Sequence, residues 1–74
     1  MSVLVCTRDQ LTSRNNFAGA YQSAGDLGRA IPLYEQTLTD SVRVLGDDHP
    51  LTGTVRGNLA YAITERDNRR PGAS

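Results

Sequence analysis

The sequence predicts an all-α fold of three helices, and three observations lead to this prediction. Apolar residues recur three and four positions apart along most of the 74-residue chain, as they do on one face of a helix. Joints containing Gly25 and Gly46 divide these stripes into three segments, because glycine commonly follows the last residue of a helix. The first and third segments share residues at a spacing of 42, namely Arg14 with Arg56, Asn16 with Asn58, Phe17 with Leu59, and Ala18 with Ala60.

The first helix is predicted over residues 9–23. Its stripe consists of Leu11, Arg14, Phe17, Tyr21 and Ala24, and these positions share one side of a helix. Residues 1–8 show no clear period, so we expect an irregular N-terminal segment.

The second helix is predicted over residues 27–45. Gly25 suits a left-handed stop after the first helix, and Asp26 suits the cap of the second. So short a link makes the two helices antiparallel. The stripe consists of Leu27, Ala30, Ile31, Tyr34, Leu38, Val42 and Leu45. Pro32 removes a backbone donor inside this helix, and we expect a kink near Gly28 rather than a break.

The third helix is predicted over residues 51–66, with Pro50 suited to its first position. Asp47 or Asp48 is expected to accept the N–H groups of its first turn. The stripe consists of Val55, Leu59, Ala62 and Ile63. Residues 67–74 are almost free of apolar side chains and are predicted to be a disordered tail.

The size and composition of the chain favour a binding protein that associates with other chains. Seventy-four residues form at most one domain with a marginal core. A single cysteine, Cys6, rules out an internal disulfide, and a single histidine argues against structural zinc. A domain this small usually needs such a staple, so self-association is the remaining source of stability.

The charge and hydropathy of the chain argue against nucleic-acid and membrane partners. Eight acidic residues balance eight basic ones, all of them arginines, so the chain lacks the positive surface that nucleic acids require. The apolar run at residues 3–6 is too short for a signal peptide or a membrane span. We therefore expect a cytoplasmic protein.

The first two predicted helices resemble the tetratricopeptide repeat. The residues that carry the resemblance are Phe17, Ala18, Tyr21, Gly25, Asp26, Leu27, Ala30, Ile31, Tyr34 and Leu38. The 42-residue period and the segment at residues 45–50 are similar to the long-repeat subclass typified by kinesin light chains, which also occurs in bacterial arrays. The resemblance covers residues 9–66 and implies a helix-turn-helix solenoid fragment of about one and a half repeats. Thr37, Ile63 and the pair at 67–68 depart from the family pattern.

The resemblance implies a protein–protein interaction module whose concave groove binds a peptide or partner protein, with no cofactor. Carried over by position, the groove residues are Thr12, Asn15, Asn16, Gly19, Gln22, Asn58, Tyr61 and Glu65. An asparagine amide donates and accepts at once, which suits the recognition of a peptide backbone. The same amides could instead bond a neighbouring helix or face solvent, and Tyr61 could pack against a second chain.

The alternative function is a self-assembling structural unit without a separate ligand. Each unit of a repeat array leaves an apolar face for its neighbour, so one and a half units should form a homo-oligomer. The predicted interface consists of Tyr34, Leu38, Val42, Val55, Leu59 and Ile63. Exchange of the third helix between chains, with residues 46–50 as the hinge, is a further option.

The sequence does not predict an enzyme or a metal site. The tight cluster of ionisable groups at residues 47–49 is explained by capping, and Cys6 has no histidine near it in the sequence. The glycines at 25 and 28 lack the spacing and the lysine of a phosphate-binding loop. The sequence identifies neither the ligand nor the number of chains in an assembly. It also does not show whether the chain is a fragment of a longer array, or what Cys6 does.

Overall fold

The computed structural model describes residues 7–69, and within them it contains three helices and no strand. These are α1 (Arg8–Ser23), α2 (Leu27–Leu45) and α3 (Pro50–Arg69). The predicted all-α fold is confirmed, and the bounds of α2 agree with the prediction. Helix α3 begins one residue earlier and ends three residues later than predicted.

Within the described residues, helices α1 and α3 extend into the predicted irregular N-terminal segment and the predicted disordered tail. Thr7 is the N-cap of α1 and Arg8 is its first residue, so neither belongs to an irregular segment. Residues 67–69 are helical rather than part of a tail. The remaining parts of both predicted segments, residues 1–6 with Cys6 and residues 70–74, lie outside the described residues.

A reciprocal cap fixes the start of α1. The backbone N–H of Gln10 donates to the Thr7 hydroxyl at 3.2 Å, and the backbone N–H of Thr7 donates to the Gln10 side chain at 3.3 Å. Both N–H groups would otherwise lack a helical partner, and this cap satisfies them.

The two turns differ in how they start the next helix. Gly25 and Gly46 have φ angles of 84° and 96°, in the left-handed region that favours glycine. This confirms the left-handed stop predicted for Gly25, and Gly46 ends α2 as predicted. Asp26 occupies the N-cap of α2, but its side chain makes no capping hydrogen bond and instead lies 3.5 Å from the Arg29 guanidinium.

The capping role predicted for Asp47 or Asp48 at the start of α3 is wrong. The Nδ1 atom of His49 accepts the Leu51 N–H at 3.0 Å. The Asp47 carboxylate instead pairs with the guanidinium of Arg56, two turns into α3.

Helix α2 is the central element of the fold and packs against both of the others. It continues through Pro32 as a single α-helix. The core consists of Ala18, Leu27, Ala30, Ile31, Tyr34, Val55 and Ala62. Since α2 runs antiparallel to each neighbour, α1 and α3 lie parallel, side by side.

The core position predicted for Phe17 is wrong. Its side chain is 64% exposed, whereas Leu11 and Ala18 on the same helix are fully buried. Adjacent residues on a helix point about 100° apart, so turning Ala18 into the core turns Phe17 out of it. The small side chain of Ala18 lets α1 approach α2 closely, and this approach determines the orientation of α1.

Two residues of the predicted oligomer interface have no surface to offer a second chain. Tyr34 is 2% exposed and Val55 is 0% exposed, because both lie in the core of this chain. Leu38, Leu59 and Ile63 are partly buried, and Val42 is 39% exposed. Four of the six predicted interface residues therefore keep an accessible surface.

Candidate functional site

A concave groove runs between α1 and α3 and has a volume of about 580 Å³. Seven of the eight predicted groove residues line it: Asn15, Asn16, Gly19, Gln22, Asn58, Tyr61 and Glu65. The eighth, Thr12, is exposed on α1 and is not among the residues that line the groove. Ser23, Tyr34 and Arg69 complete the lining.

Side-chain hydrogen bonds connect the two walls of the groove. Asn58 Nδ2 donates to Asn15 Oδ1 at 3.1 Å, and Gln22 Nε2 donates to Glu65 Oε1 at 2.8 Å. Arg69 Nη1 donates to the Gly25 carbonyl oxygen at 3.2 Å. The partners are 43, 43 and 44 residues apart, close to the 42-residue repeat. Equivalent parts of α1 and α3 therefore face each other along the groove.

Tyr34 forms the floor of the groove and links it to the core. Its hydroxyl donates to Gln22 Oε1 at 2.8 Å, while its ring is buried below. Gln22 thereby accepts from Tyr34 and donates to Glu65. Burial, and to a smaller extent the negative charge of Glu65, raises the pKa of Tyr34 above its ordinary value of 10.0. The hydroxyl is therefore a neutral donor under physiological conditions.

The paired asparagines leave complementary groups to be satisfied. The bond between Asn15 and Asn58 uses one amide oxygen and one amide N–H. An amide carries two N–H donors and an acceptor oxygen, so the pair retains an NH₂ group on Asn15 and a carbonyl on Asn58. One peptide unit of a ligand offers the matching acceptor and donor. The side-chain amide of Asn16 is exposed beside them and has no partner among the described residues.

The rim of the groove carries an exposed aromatic ring and a balanced pair of charges. Tyr61 is 64% exposed and lies one turn before Glu65 on α3. The Glu65 carboxylate is 3.7 Å from Arg69 Nη2, an i,i+4 pair on the same helix. The lining therefore has no net charge, which favours a neutral stretch of ligand.

The groove contains two functional groups that the sequence reasoning did not place there. Tyr34 was assigned to the apolar stripe of α2 and to the oligomer interface, but its hydroxyl reaches Gln22 in the groove. Arg69 was assigned to a disordered tail. The spacing of four between Glu65 and Arg69 is a helical ion-pair signal that could have extended α3 to its observed end.

Neither a metal centre nor a membrane segment is found within the described residues. No three of their histidine, cysteine, aspartate or glutamate side chains group closely enough to hold a metal ion. None of helices α1, α2 and α3 combines the length and the apolar character needed to cross a bilayer.

Comparison with known protein families identifies the repeat. The tetratricopeptide repeat family matches residues 10–51, which cover most of α1, all of α2, the following turn and the first two residues of α3, more than half of the chain. The chain belongs to the tetratricopeptide repeat family. Tetratricopeptide repeats mediate protein–protein interactions. No curated protein and no solved structure matches the chain.

Proposed function

We propose that this tetratricopeptide repeat protein binds an extended peptide segment of a partner protein in the groove between α1 and α3. The observation that carries the proposal is the bond between Asn15 and Asn58. It holds one amide on each wall and leaves a donor and an acceptor free for a peptide backbone. Because these groups read the main chain, they are tolerant of the ligand's side chains.

The supports of the groove favour binding over catalysis. The bonds that join its walls preorganise the site, which reduces the entropy lost when a ligand binds. Tyr61 offers a large exposed ring at the rim, and such rings are frequent anchors in protein interfaces. The groove volume of about 580 Å³ is sufficient for a few residues of a peptide.

A selection from displayed linear peptides of random sequence tests this proposal. The selected peptides are resynthesised and titrated with the protein by fluorescence anisotropy. Asn58→Ala should weaken binding by roughly fivefold, since one hydrogen-bonded contact is worth on the order of 1 kcal/mol. Asn68→Ala, which removes an exposed amide near the end of α3 outside the groove lining, is the matched control and should have no effect. Failure to select any peptide, or equal binding by the two variants, would contradict the proposal.

Self-association remains a second candidate because an apolar edge stays accessible. On α2, Val42 is 39% exposed and Leu38 is partly buried. On α3, Leu59 and Ile63 are also partly buried. Sedimentation equilibrium tests this candidate directly. A dimer that Val42→Glu converts to a monomer would support assembly through this edge, and a monomer at all accessible concentrations would exclude it.

A further inference from the structure

Gly19 lies inside α1 at a position where the packing of the chain does not require a glycine. Its backbone is that of an ordinary α-helix, whereas the positive φ angles of the described residues belong to Gly25 and Gly46. A Cβ atom added to Gly19 would stand 3.6 Å from the Tyr34 hydroxyl oxygen, which is an ordinary contact distance. Alanine would therefore fit, and it would favour the helix, since glycine loses more backbone freedom on folding.

The missing side chain leaves the floor of the groove open at this point. Gly19 and Tyr34 both line the groove, and a methyl group on Gly19 would lie against the Tyr34 hydroxyl and cover it. Gln22 follows Gly19 by one turn of α1, and Glu65 reaches Gln22 from the opposite wall. The space bounded by Gly19, Gln22, Tyr34 and Glu65 is termed the floor subsite.

The floor subsite keeps hydrogen-bonding capacity that the described residues do not use. The Tyr34 hydroxyl donates to Gln22, and its oxygen can still accept. Gln22 Nε2 uses one of its two N–H groups on Glu65 and keeps the other. Glu65 Oε2 is 3.7 Å from Arg69 Nη2, which is too far for a hydrogen bond, so this oxygen can accept as well. The floor subsite therefore offers two acceptors and one donor.

We propose that the floor subsite receives a side-chain carboxamide of the bound peptide, from a glutamine or an asparagine, and that Gly19 is the residue that admits it. The NH₂ group of the carboxamide donates to Tyr34 Oη and Glu65 Oε2, and its oxygen accepts from Gln22 Nε2. This inference rests on the proposed function, because the peptide must lie in the groove. It adds a preference for one side chain to the recognition of the main chain.

Charge and hydrogen bonding argue against the other side chains of similar length. A carboxylate would be repelled by Glu65 at the floor. An ammonium or guanidinium group would compete with Arg69 for Glu65, and it would leave the spare N–H of Gln22 without an acceptor. An apolar side chain would cover all of these polar groups without bonding them, which is unfavourable.

Four acetylated and amidated heptapeptides of the form Ser-Ala-Ala-X-Ala-Ala-Ser are the probes. Position X holds glutamine, glutamate, methionine or lysine, which have side chains of similar length. Each peptide is titrated into the ¹⁵N-labelled full chain and followed by nuclear magnetic resonance, which measures weak binding. The glutamine peptide should bind roughly tenfold more tightly than the glutamate peptide. It should bind roughly fivefold more tightly than the methionine peptide, because methionine leaves the floor groups unpaired.

Gly19→Ala separates the role of this residue in binding from its role in the fold. Its methyl group covers the Tyr34 hydroxyl, so the variant should lose the preference for glutamine over methionine. The same variant should have a higher midpoint of urea unfolding, because alanine favours the helix. Gly53→Ala is the matched control, since Gly53 is an exposed glycine of α3 with open space around it and outside the groove lining. This control should leave the preference unchanged.

Failure of this inference is distinguishable from failure of the proposed function. Equal binding of the four peptides, still weakened by Asn58→Ala, would refute the floor subsite and leave main-chain binding intact. Tightest binding of the lysine peptide would make a cation the occupant. A preference for glutamine that persists in Gly19→Ala, or a lower urea midpoint of that variant, would contradict the role given to Gly19. If no peptide binds, both proposals are wrong.

Discussion

Helix α1 meets its two neighbours through interfaces of opposite character. Against α2 it buries Ala18 in the apolar core, and the ion pair of Arg14 with Asp40 also joins the two helices. Against α3 it places asparagine and glutamine side chains that hydrogen-bond across an open groove. The apolar interface stabilises the fold, because burial of apolar surface is the main driving force of folding. The polar interface contributes less, since a typical hydrogen bond adds only about 0.5–1.5 kcal/mol net, and it leaves groups available for recognition.

Tyr34 contributes to both interfaces, so two substitutions of this residue measure the apolar and the polar contributions to stability separately. One of them should give the largest effect on the free energy of unfolding. Tyr34→Ala empties a buried site and should lower the free energy of unfolding by about 3–5 kcal/mol, which approaches the whole stability of a small domain. Tyr34→Phe keeps the ring and removes only the bond to Gln22, so it should cost about 1 kcal/mol. Urea unfolding followed by circular dichroism measures both changes. Equal losses in the two variants would show that the hydroxyl, rather than the ring, carries the stability.

A smaller effect, and a stabilising one, is expected from a substitution of Thr52, which is fully buried near the start of α3. Among residues 7–69 its hydroxyl has no hydrogen-bond partner, as is also true of Ser41 on α2. Thr52→Val replaces that hydroxyl with a methyl group and should raise the free energy of unfolding by about 1–2 kcal/mol, because a buried unpaired polar group is unfavourable. Thr54→Val, two positions along the same helix and exposed, is the control and should change the thermal midpoint little. A destabilised Thr52→Val protein would mean that the hydroxyl is satisfied in solution.

The smallest effect on the free energy of unfolding concerns Tyr34, at the floor of the groove, and appears only at alkaline pH. Burial raises the pKa of Tyr34 in the folded chain above 10.0, so the folded state holds this proton more tightly than the unfolded state does. The associated stability is complete below about pH 10 and is lost as the pH rises through the folded pKa. Urea midpoints between about pH 9 and pH 11 should therefore fall less steeply for Tyr34→Phe than for the unmodified protein. Parallel curves for the two proteins would assign the alkaline loss to other groups.

The helices were predictable because their determinants are local. The first half of the α2 stripe is buried as an apolar face, at Leu27, Ala30, Ile31 and Tyr34, whereas the polar Thr37 and Ser41 take the inward positions beyond it. Gly25 and Gly46 adopt positive φ angles, which their residue type favours. The candidate groove residues were carried over from the family resemblance, and the structure brings seven of them to one groove because α1 and α3 lie parallel with an offset of 43 residues between bonded partners. Residues at equivalent positions of the sequence repeat thus lie close together in the structure.

The sequence-based predictions were wrong where contacts between helices decided between two locally acceptable arrangements. Phe17 is the larger apolar residue, but Ala18 faces the core because close helix packing favours the small side chain. Val55 was assigned to an intermolecular surface that α2 of the same chain already covers. His49 rather than an aspartate accepts from Leu51, since Asp47 is held by Arg56. Each outcome depends on contacts between helices, which residue spacing alone does not determine.

The positions of the tyrosines allow intrinsic tyrosine spectroscopy to report on the state of the protein. The chain has three tyrosines and no tryptophan, so its intrinsic ultraviolet signals come from very few rings. Tyr34 is enclosed and Tyr61 is 64% open at the groove rim. Near-ultraviolet dichroism should follow the enclosed ring, while quenching by acrylamide should follow the open one. Fold integrity and groove occupancy are therefore separable without any attached dye.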